Sequence, residues 1–186
     1  MTESSDLEQR SAEEQAQQER LVKRCGQVDR GALRHMLEKF GLRLHVHEPD
    51  ACIPGSYWGE PEAGIQGFDV HIRDDTPVHS LLHEAGHVIC MDAERRANFD
   101  TEAGGEDVEE NGVCYLQILL ADYLPGVGRD RLMLDMDRWG YSFRMGSTRL
   151  WFEQDADDAR LWLIEHGLVQ EGTADGEETV LWRLRS

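Results

Sequence analysis

The spacing of apolar residues predicts a chain of mixed helices and strands. Asp29 is suited to cap a helix and Gly41 to end it. The apolar residues between them follow the i, i+3, i+4, i+7 spacing of one helical face, and these are Leu33, Met36, Leu37 and Phe40. Residues 42–48 alternate instead, which predicts a strand. Residues 56–75 predict two further extended pieces around a Gly- and Pro-rich turn, the second of them over 68–73.

Two longer helices follow in the middle of the chain. Thr76 and Pro77 give a cap residue followed by proline at the first helical position, before the largely apolar segment 78–91. A polar loop leads to a second helix over about residues 106–124, which "PGVG" stops. We expect two short helices around a Gly-containing loop in 129–152, then a helix capped by Asp155 and a terminal strand in 179–185. The predicted class is α+β, with an antiparallel sheet packed on the two longer helices.

The domain organisation follows from a change in composition near residue 25. Residues 1–25 are rich in Glu and Gln, which predicts a disordered arm or a solvated helix, with Ser11 and Glu14 offering a capping box. Residues 26–186 are long enough to bury one core, so we expect a single domain with a helical and strand extension at its C-terminal end.

Charge and composition exclude several classes of partner. The formal net charge is −18 and the pI is about 4.7, so we expect neither a nucleic acid nor an anionic membrane surface as partner. No apolar run approaches the roughly 20 residues that span a bilayer, and the N-terminus has no apolar signal region. The four cysteines have no C-x-x-C spacing, which favours reduced thiols and a cytoplasmic protein.

The candidate chemistry lies in "TPVHSLLHEAGHVICM", residues 76–91. His83, Glu84 and His87 form the pattern H-E-x-x-H, which on a helix directs two imidazoles to one side, where they can share a zinc ion. Glu84 would then act on a water molecule as general base. His79 lies one turn earlier on the same face, and we expect it to be hydrogen-bonded in the interior.

A catalytic zinc site with two histidines needs a third protein ligand. No third histidine follows His87 at short spacing, so we expect a carboxylate from the start of the next helix. The candidates there are Glu106, Asp107, Glu109 and Glu110. Glu106 and Glu110 lie four residues apart and share a helical face that is not the face of Glu109.

The segment "EENGVCYLQILLADYLP" resembles the second helix of the ImmA/IrrE-type metallopeptidases, which are small gluzincin-like proteins. The resemblance covers about residues 67–125 and includes the H-E-x-x-H helix. It implies a zinc metallopeptidase with His83, His87 and Glu109 as ligands. Asn111 and Val113 depart from the family pattern, so Glu110 is kept as the alternative ligand.

These observations predict a zinc metallopeptidase that hydrolyses peptide bonds of a peptide or protein substrate, with Glu84 as general base. The alternative is a regulatory metal-binding protein of ImmA/IrrE type, which acts on one specific partner such as a repressor or lacks general protease activity. Candidates for stabilising the oxyanion are Tyr141, Arg144, His79 and His71. On the first strand, His45 and His47 share a face, and we expect both to face solvent.

Overall fold

The computed structural model describes residues 3–101, 103–172 and 178–186 as helices packed around a small sheet. In chain order the helices are α1 (Glu3–Glu19), α2 (Arg30–Glu38), α3 (Val78–Cys90), α4 (Ala93–Asn98), α5 (Asp107–Ala121), α6 (Arg129–Trp139), α7 (Thr148–Gln154) and α8 (Asp157–Glu165). The strands are β1 (Arg43–Val46), β2 (Gly64–Gln66), β3 (Asp69–Ile72), β4 (Val169–Gln170) and β5 (Thr179–Val180). The predicted α+β class is confirmed.

The main sheet has three strands in the order β1-β3-β2. Strand β3 pairs in parallel with β1, with Arg43 opposite Asp69, and antiparallel with β2, with Gly64 opposite His71. The prediction of an antiparallel sheet was therefore wrong for the pair β1 and β3. A parallel pair needs a long connection, and residues 47–68 provide one that contains β2. Strands β4 and β5 form a separate antiparallel pair.

Helices α3 and α5 pack against each other at the centre of the fold. Leu81, Leu82 and Val88 of α3 are fully buried, and so are Val113 and Leu116 of α5. Such a helix pair excludes water from most of its length, so ionisable side chains within it require partners.

Gly86 lies where α3 and α5 approach closely. A Cβ atom at this position would lie 2.9 Å from Cγ1 of Val113. A larger residue there would require the Val113 side chain to move, because real Cβ contacts are longer than this. The small residue inside the H-E-x-x-H pattern thus suits the close packing of the histidine helix against the glutamate helix.

The start of α3 lies close to its predicted position. Pro77 is the N-cap and Val78 the first helical residue, one position later than expected. The hydroxyl of Thr76 does not cap the helix but accepts a hydrogen bond from the backbone N–H of Arg73, at 2.9 Å. This bond closes the turn between β3 and α3, so the strand and the helix are joined by a short, fixed connection.

Three other elements differ from the expected pattern. Part of the polar loop after α3 is helix α4, because the Asp92 carboxylate caps it by accepting from the N–H of Arg95 at 2.9 Å. The strand expected in 179–185 has only two residues. Helix α1 begins well before Ser11, so the expected capping box lies in its interior, and residues 11–18 are all exposed.

Within the described residues, no helix combines the length and apolar character needed to cross a bilayer.

Candidate metal centre

The two histidines of the H-E-x-x-H pattern lie one turn apart on α3, with their rings nearly perpendicular. The Nε2 atoms of His83 and His87 are 3.1 Å apart. His87 is buried, and the side chain of His83 is only 16% exposed. Two imidazole nitrogens at this distance repel each other unless a proton or a cation lies between them.

Gln117 on α5 fixes the orientation of the His83 ring. Its side-chain oxygen accepts a hydrogen bond from Nδ1 of His83 at 3.2 Å, and its amide nitrogen donates to Sδ of Met136 at 3.0 Å. Gln117 is fully buried. With a proton held on Nδ1 by this bond, Nε2 is the nitrogen of His83 that would bind a metal ion.

Glu110 brings a carboxylate to the same point. Its Oε1 lies 3.2 Å from Nε2 of His83, and its Oε2 lies 3.6 Å from Nε2 of His87. A tetrahedral ion with ligands at about 2.0–2.1 Å has edges of roughly 3.3–3.4 Å between ligand atoms. The separations between these ligand atoms are close to that edge length, so the group of His83, His87 and Glu110 could hold a metal ion.

Glu109, which the sequence favoured as the third ligand, lies elsewhere. Its carboxylate accepts two hydrogen bonds from Nη1 of Arg95, both at 2.8 Å, and one from Nη1 of Arg185 at 3.1 Å. Consecutive residues of an α-helix point about 100° apart, so Glu109 and Glu110 contact different neighbours. The group that could hold a metal ion contains Glu110, which the sequence had left as the alternative, and not Glu109.

The other two carboxylates considered as ligands lie at the exposed start of α5. Glu106 is the N-cap residue and Asp107 the first helical residue, and both are exposed. Neither belongs to the group that could hold a metal ion. Their position at the positive end of the helix dipole accounts for their acidic character.

Glu84 lies beside the three candidate ligands in an open cleft of about 320 Å³. The cleft is lined by Tyr57, Trp58, His83, Glu84, His87, Thr101, Ala103, Gly104 and Glu110. Burial raises the pKa of Glu84 to about 7; the charges of Glu62 and Glu110 add to this, while His83 opposes it. A carboxylate with such a pKa can both accept and release a proton near neutral pH.

The candidate ligands affect one another's pKa values. Burial opposes ionisation of Glu110, but the hydrogen bond and charge of His83 outweigh it and lower the pKa of that carboxyl. Burial lowers the pKa of His87 to about 4, and the charge of His83 adds to this effect. His87 is therefore neutral at neutral pH, and a neutral imidazole is the form that binds a metal.

Two of the four candidates for stabilising an oxyanion lie away from the cleft. The Arg144 guanidinium forms an ion pair with Asp155. His71 lies in the sheet, where Nδ1 is hydrogen-bonded to Nε2 of His47 at 2.9 Å. Both side chains are held by other partners.

Tyr141 and His79 lie near His83. The ring centroid of Tyr141 is 6.1 Å from that of His83 and 5.5 Å from that of His79. Burial raises the pKa of Tyr141 to about 12, so its hydroxyl keeps its proton. His79 is buried, and its two ring nitrogens have no hydrogen-bond partner among the described residues, contrary to the expectation that it would be satisfied.

The histidines of β1 and β3 form a second group. His45 is exposed, as expected, and its Nε2 contacts the Asp69 carboxylate at 2.6 Å. His47, also expected to face solvent, is partly buried and bonds to the buried His71. Asp69 is also held by Arg43, whose hydrogen bonds lower the pKa of that carboxyl well below its usual range. This group is distinct from the cleft.

Sequence reasoning missed Gln117, Tyr57 and Trp58. Gln117 lies eight residues after Glu109, on a helix that otherwise reads as apolar there, and an isolated polar residue in such a run is a usable signal. Tyr57 and Trp58 gave no signal, because a pair of aromatic residues in a Gly/Pro-rich segment is equally typical of a core or a surface.

The chain matches no protein-family model, no curated protein and no solved structure. The resemblance to ImmA/IrrE-type metallopeptidases therefore stays a prediction. It rests on the H-E-x-x-H pattern and on the residues of α5.

Proposed function

We propose that this protein is a zinc-dependent metallopeptidase with His83, His87 and Glu110 as metal ligands and Glu84 as general base. One observation carries the proposal. The side chains of His83, His87 and Glu110 converge from two helices, with ligand atoms 3.1–3.6 Å apart, in a cleft that Glu84 also lines. Two imidazoles and one carboxylate are the ligand set of many catalytic zinc sites, in which a fourth position stays open.

The arrangement of the two helices supports a gluzincin-like fold. One helix carries both histidines, and the third ligand comes from the next long helix, which packs directly against the first. We extend the proposal to kinship with the ImmA/IrrE-type proteins, with Glu110 in place of Glu109 as the ligand. The close packing of α3 against α5 at Gly86 and Val113 is consistent with a carboxylate of α5 that reaches the imidazoles of α3.

The residues of the site have separate roles in hydrolysis. A bound zinc ion would polarise the attacking water and the scissile carbonyl. Glu84 accepts one proton from the water as the oxygen bonds to the carbonyl carbon. It then donates that proton to the leaving nitrogen as the C–N bond breaks, which gives a carboxylic acid and an amine. Gln117 keeps the His83 ring in one tautomer throughout.

The decisive experiment is the substitution Glu84→Gln. We expect the variant to bind zinc with unchanged stoichiometry and to lose about 10²–10⁴-fold in the rate of peptide cleavage, because the general base is removed while the ligands remain. Glu153→Gln, on the exposed surface of α7, is the matched control and should cleave at the native rate. A Glu84→Gln variant as active as the native protein would refute the proposal.

The same measurements address the regulatory alternative. Native protein that holds one zinc ion but cleaves no member of an unselected peptide library would favour a protein restricted to one partner. Native protein that binds no zinc at all would exclude both the metallopeptidase and the regulatory metal-binding protein.

A further inference from the structure

An exposed aromatic pair lines the candidate metal cleft. Tyr57 and Trp58 are 73% and 75% exposed, more than any other large hydrophobic residue among those described. Their rings meet edge to face, with centroids 5.0 Å apart. Both line the cleft together with His83 and Glu84. Aromatic side chains of this kind are common at the centres of binding sites, and so much exposed aromatic surface requires an explanation.

The loop that carries this pair is tethered at its base. Gly55 has φ of +72°, and a Cβ atom there would lie 2.2 Å from the carbonyl oxygen of Ile65, so the loop backbone is pressed against β2. The N–H of Ile65 donates to the carbonyl of Gly55 at 3.3 Å. After the pair, the Glu60 carboxylate accepts from the N–H of Ile53 at 3.0 Å. The aromatic pair is thus held beside the cleft by contacts on both sides.

The surroundings of the cleft are acidic. Among the described residues, those that line it include Glu84 and the proposed metal ligand Glu110 and no Lys or Arg. Thr101, Ala103 and Gly104 supply another part of the lining. The sequence around them, residues 99–110, contains six acidic residues and no basic one, although Glu109 is paired with Arg95 and Arg185. The chain as a whole has a formal net charge of −18. Such a field attracts cations and repels anions.

We propose that this cleft binds a polypeptide segment through a lysine or arginine side chain that stacks on Tyr57 and Trp58. Aromatic faces attract cations, and the net charge of −18 adds a long-range attraction that depends neither on Glu84 nor on the proposed metal ligand Glu110. A second copy of this chain is a poor occupant because two bodies of charge −18 repel each other, and an anionic membrane is excluded for the same reason. The inference rests on the proposed peptidase function and specifies its substrate class.

The test is peptide binding to the Glu84→Gln variant loaded with zinc, which should bind a substrate without cleaving it. Three peptides of equal length differ at one central residue, which is arginine, its neutral isostere citrulline, or glutamate. We expect the arginine peptide to bind at least about tenfold more tightly than the citrulline peptide, and the glutamate peptide to bind least. Raising the salt concentration should reduce the differences in affinity among the three peptides. Binding is followed by calorimetry and by tryptophan fluorescence.

Variants of the aromatic pair separate a cation–aromatic contact from a merely apolar one. In the same Glu84→Gln background, Trp58→Leu should lose most of the preference for arginine over citrulline, whereas Trp58→Phe should keep part of it. Leu161→Ala is the control, because Leu161 is also exposed but lies on α8 and does not line the cleft. That variant should bind all three peptides as the parent does.

The outcomes distinguish this inference from the proposed function. Equal binding of the arginine and citrulline peptides, or a preference that survives Trp58→Leu, would overturn the inference even if the native protein cleaves peptides. A dimer that Trp58→Leu dissociates in sedimentation experiments would assign the pair to self-association and also overturn it. If instead the peptidase proposal is wrong, the native protein would prefer the arginine peptide but would not hydrolyse it.

Discussion

Helix α5 begins with two adjacent glutamates that have different environments. Glu109 is 5% exposed and accepts hydrogen bonds from two arginines, Arg95 and Arg185. The Glu110 side chain is 43% exposed and lies within 3.6 Å of the facing nitrogens of two imidazoles. The first carboxylate ties α5 to α4 and to the residues after β5, and the second completes the candidate metal centre.

The difference shows that the existing partners of a carboxylate, and not its acidity alone, decide whether it can bind a metal ion. A guanidinium already satisfies the oxygens of Glu109 and neutralises its charge. Glu110 has no arginine among its described ion-pair partners, and its two oxygens face ring nitrogens instead. Removing either side chain should therefore damage a different property of the protein.

The largest effect is expected from Glu109→Ala. It leaves the guanidinium groups of Arg95 and Arg185 without their shared carboxylate, and loss of one partner of a buried ion pair costs about 3–5 kcal/mol of folding free energy. Because the Arg95 side chain is 37% exposed, we expect the lower end of this range. Chemical denaturation measures the loss. The folded variant should still bind one zinc ion, and a loss of zinc without a loss of stability would reverse our assignment.

Glu110→Ala should produce the opposite result. We expect zinc affinity to fall by more than about 100-fold, since changing even residues that only support a ligand costs 10–100-fold. Folding stability of the metal-free protein should change little, because the Glu110 side chain is partly exposed. Competition with a chromophoric chelator gives the affinity. Glu106→Ala, which removes an exposed carboxylate from the same helix end, is the control and should leave it unchanged.

Gln117→Leu is expected to have the smallest effect of the three. The substitution removes the acceptor for Nδ1 of His83 while keeping a similar volume, so zinc affinity should fall by about 10–100-fold. Gln117→Glu retains an acceptor oxygen and should lose less. If both variants bind zinc as the native protein does, the hydrogen bond has no part in preparing the site.

Much of the fold could be predicted because its signals are local. The spacing of apolar residues identified α2, α3 and α5, and the H-E-x-x-H pattern identified two of the three candidate ligands. Helix α4 was missed, because a cap such as Asp92 is a weak signal in a polar segment.

The choice between Glu109 and Glu110 could not be made from the sequence. It depends on Arg185, which lies 76 residues away along the chain and meets Glu109 only in the folded protein. The parallel pairing of β1 with β3 is of the same kind, because alternation shows which face of a strand is buried but not the direction of its neighbour. The unpartnered nitrogens of His79 are equally a property of tertiary packing.

The composition of the triangle formed by His83, His87 and Glu110 has a consequence for how the protein is handled. Nitrogen-rich sites bind divalent copper more strongly than zinc, and they bind magnesium and calcium weakly because those ions prefer oxygen ligands. Traces of copper in a preparation would therefore displace the intended ion, whereas magnesium-containing buffers would not. Cobalt(II), which accepts the same tetrahedral ligands, would give the centre a visible colour by which its occupancy can be followed.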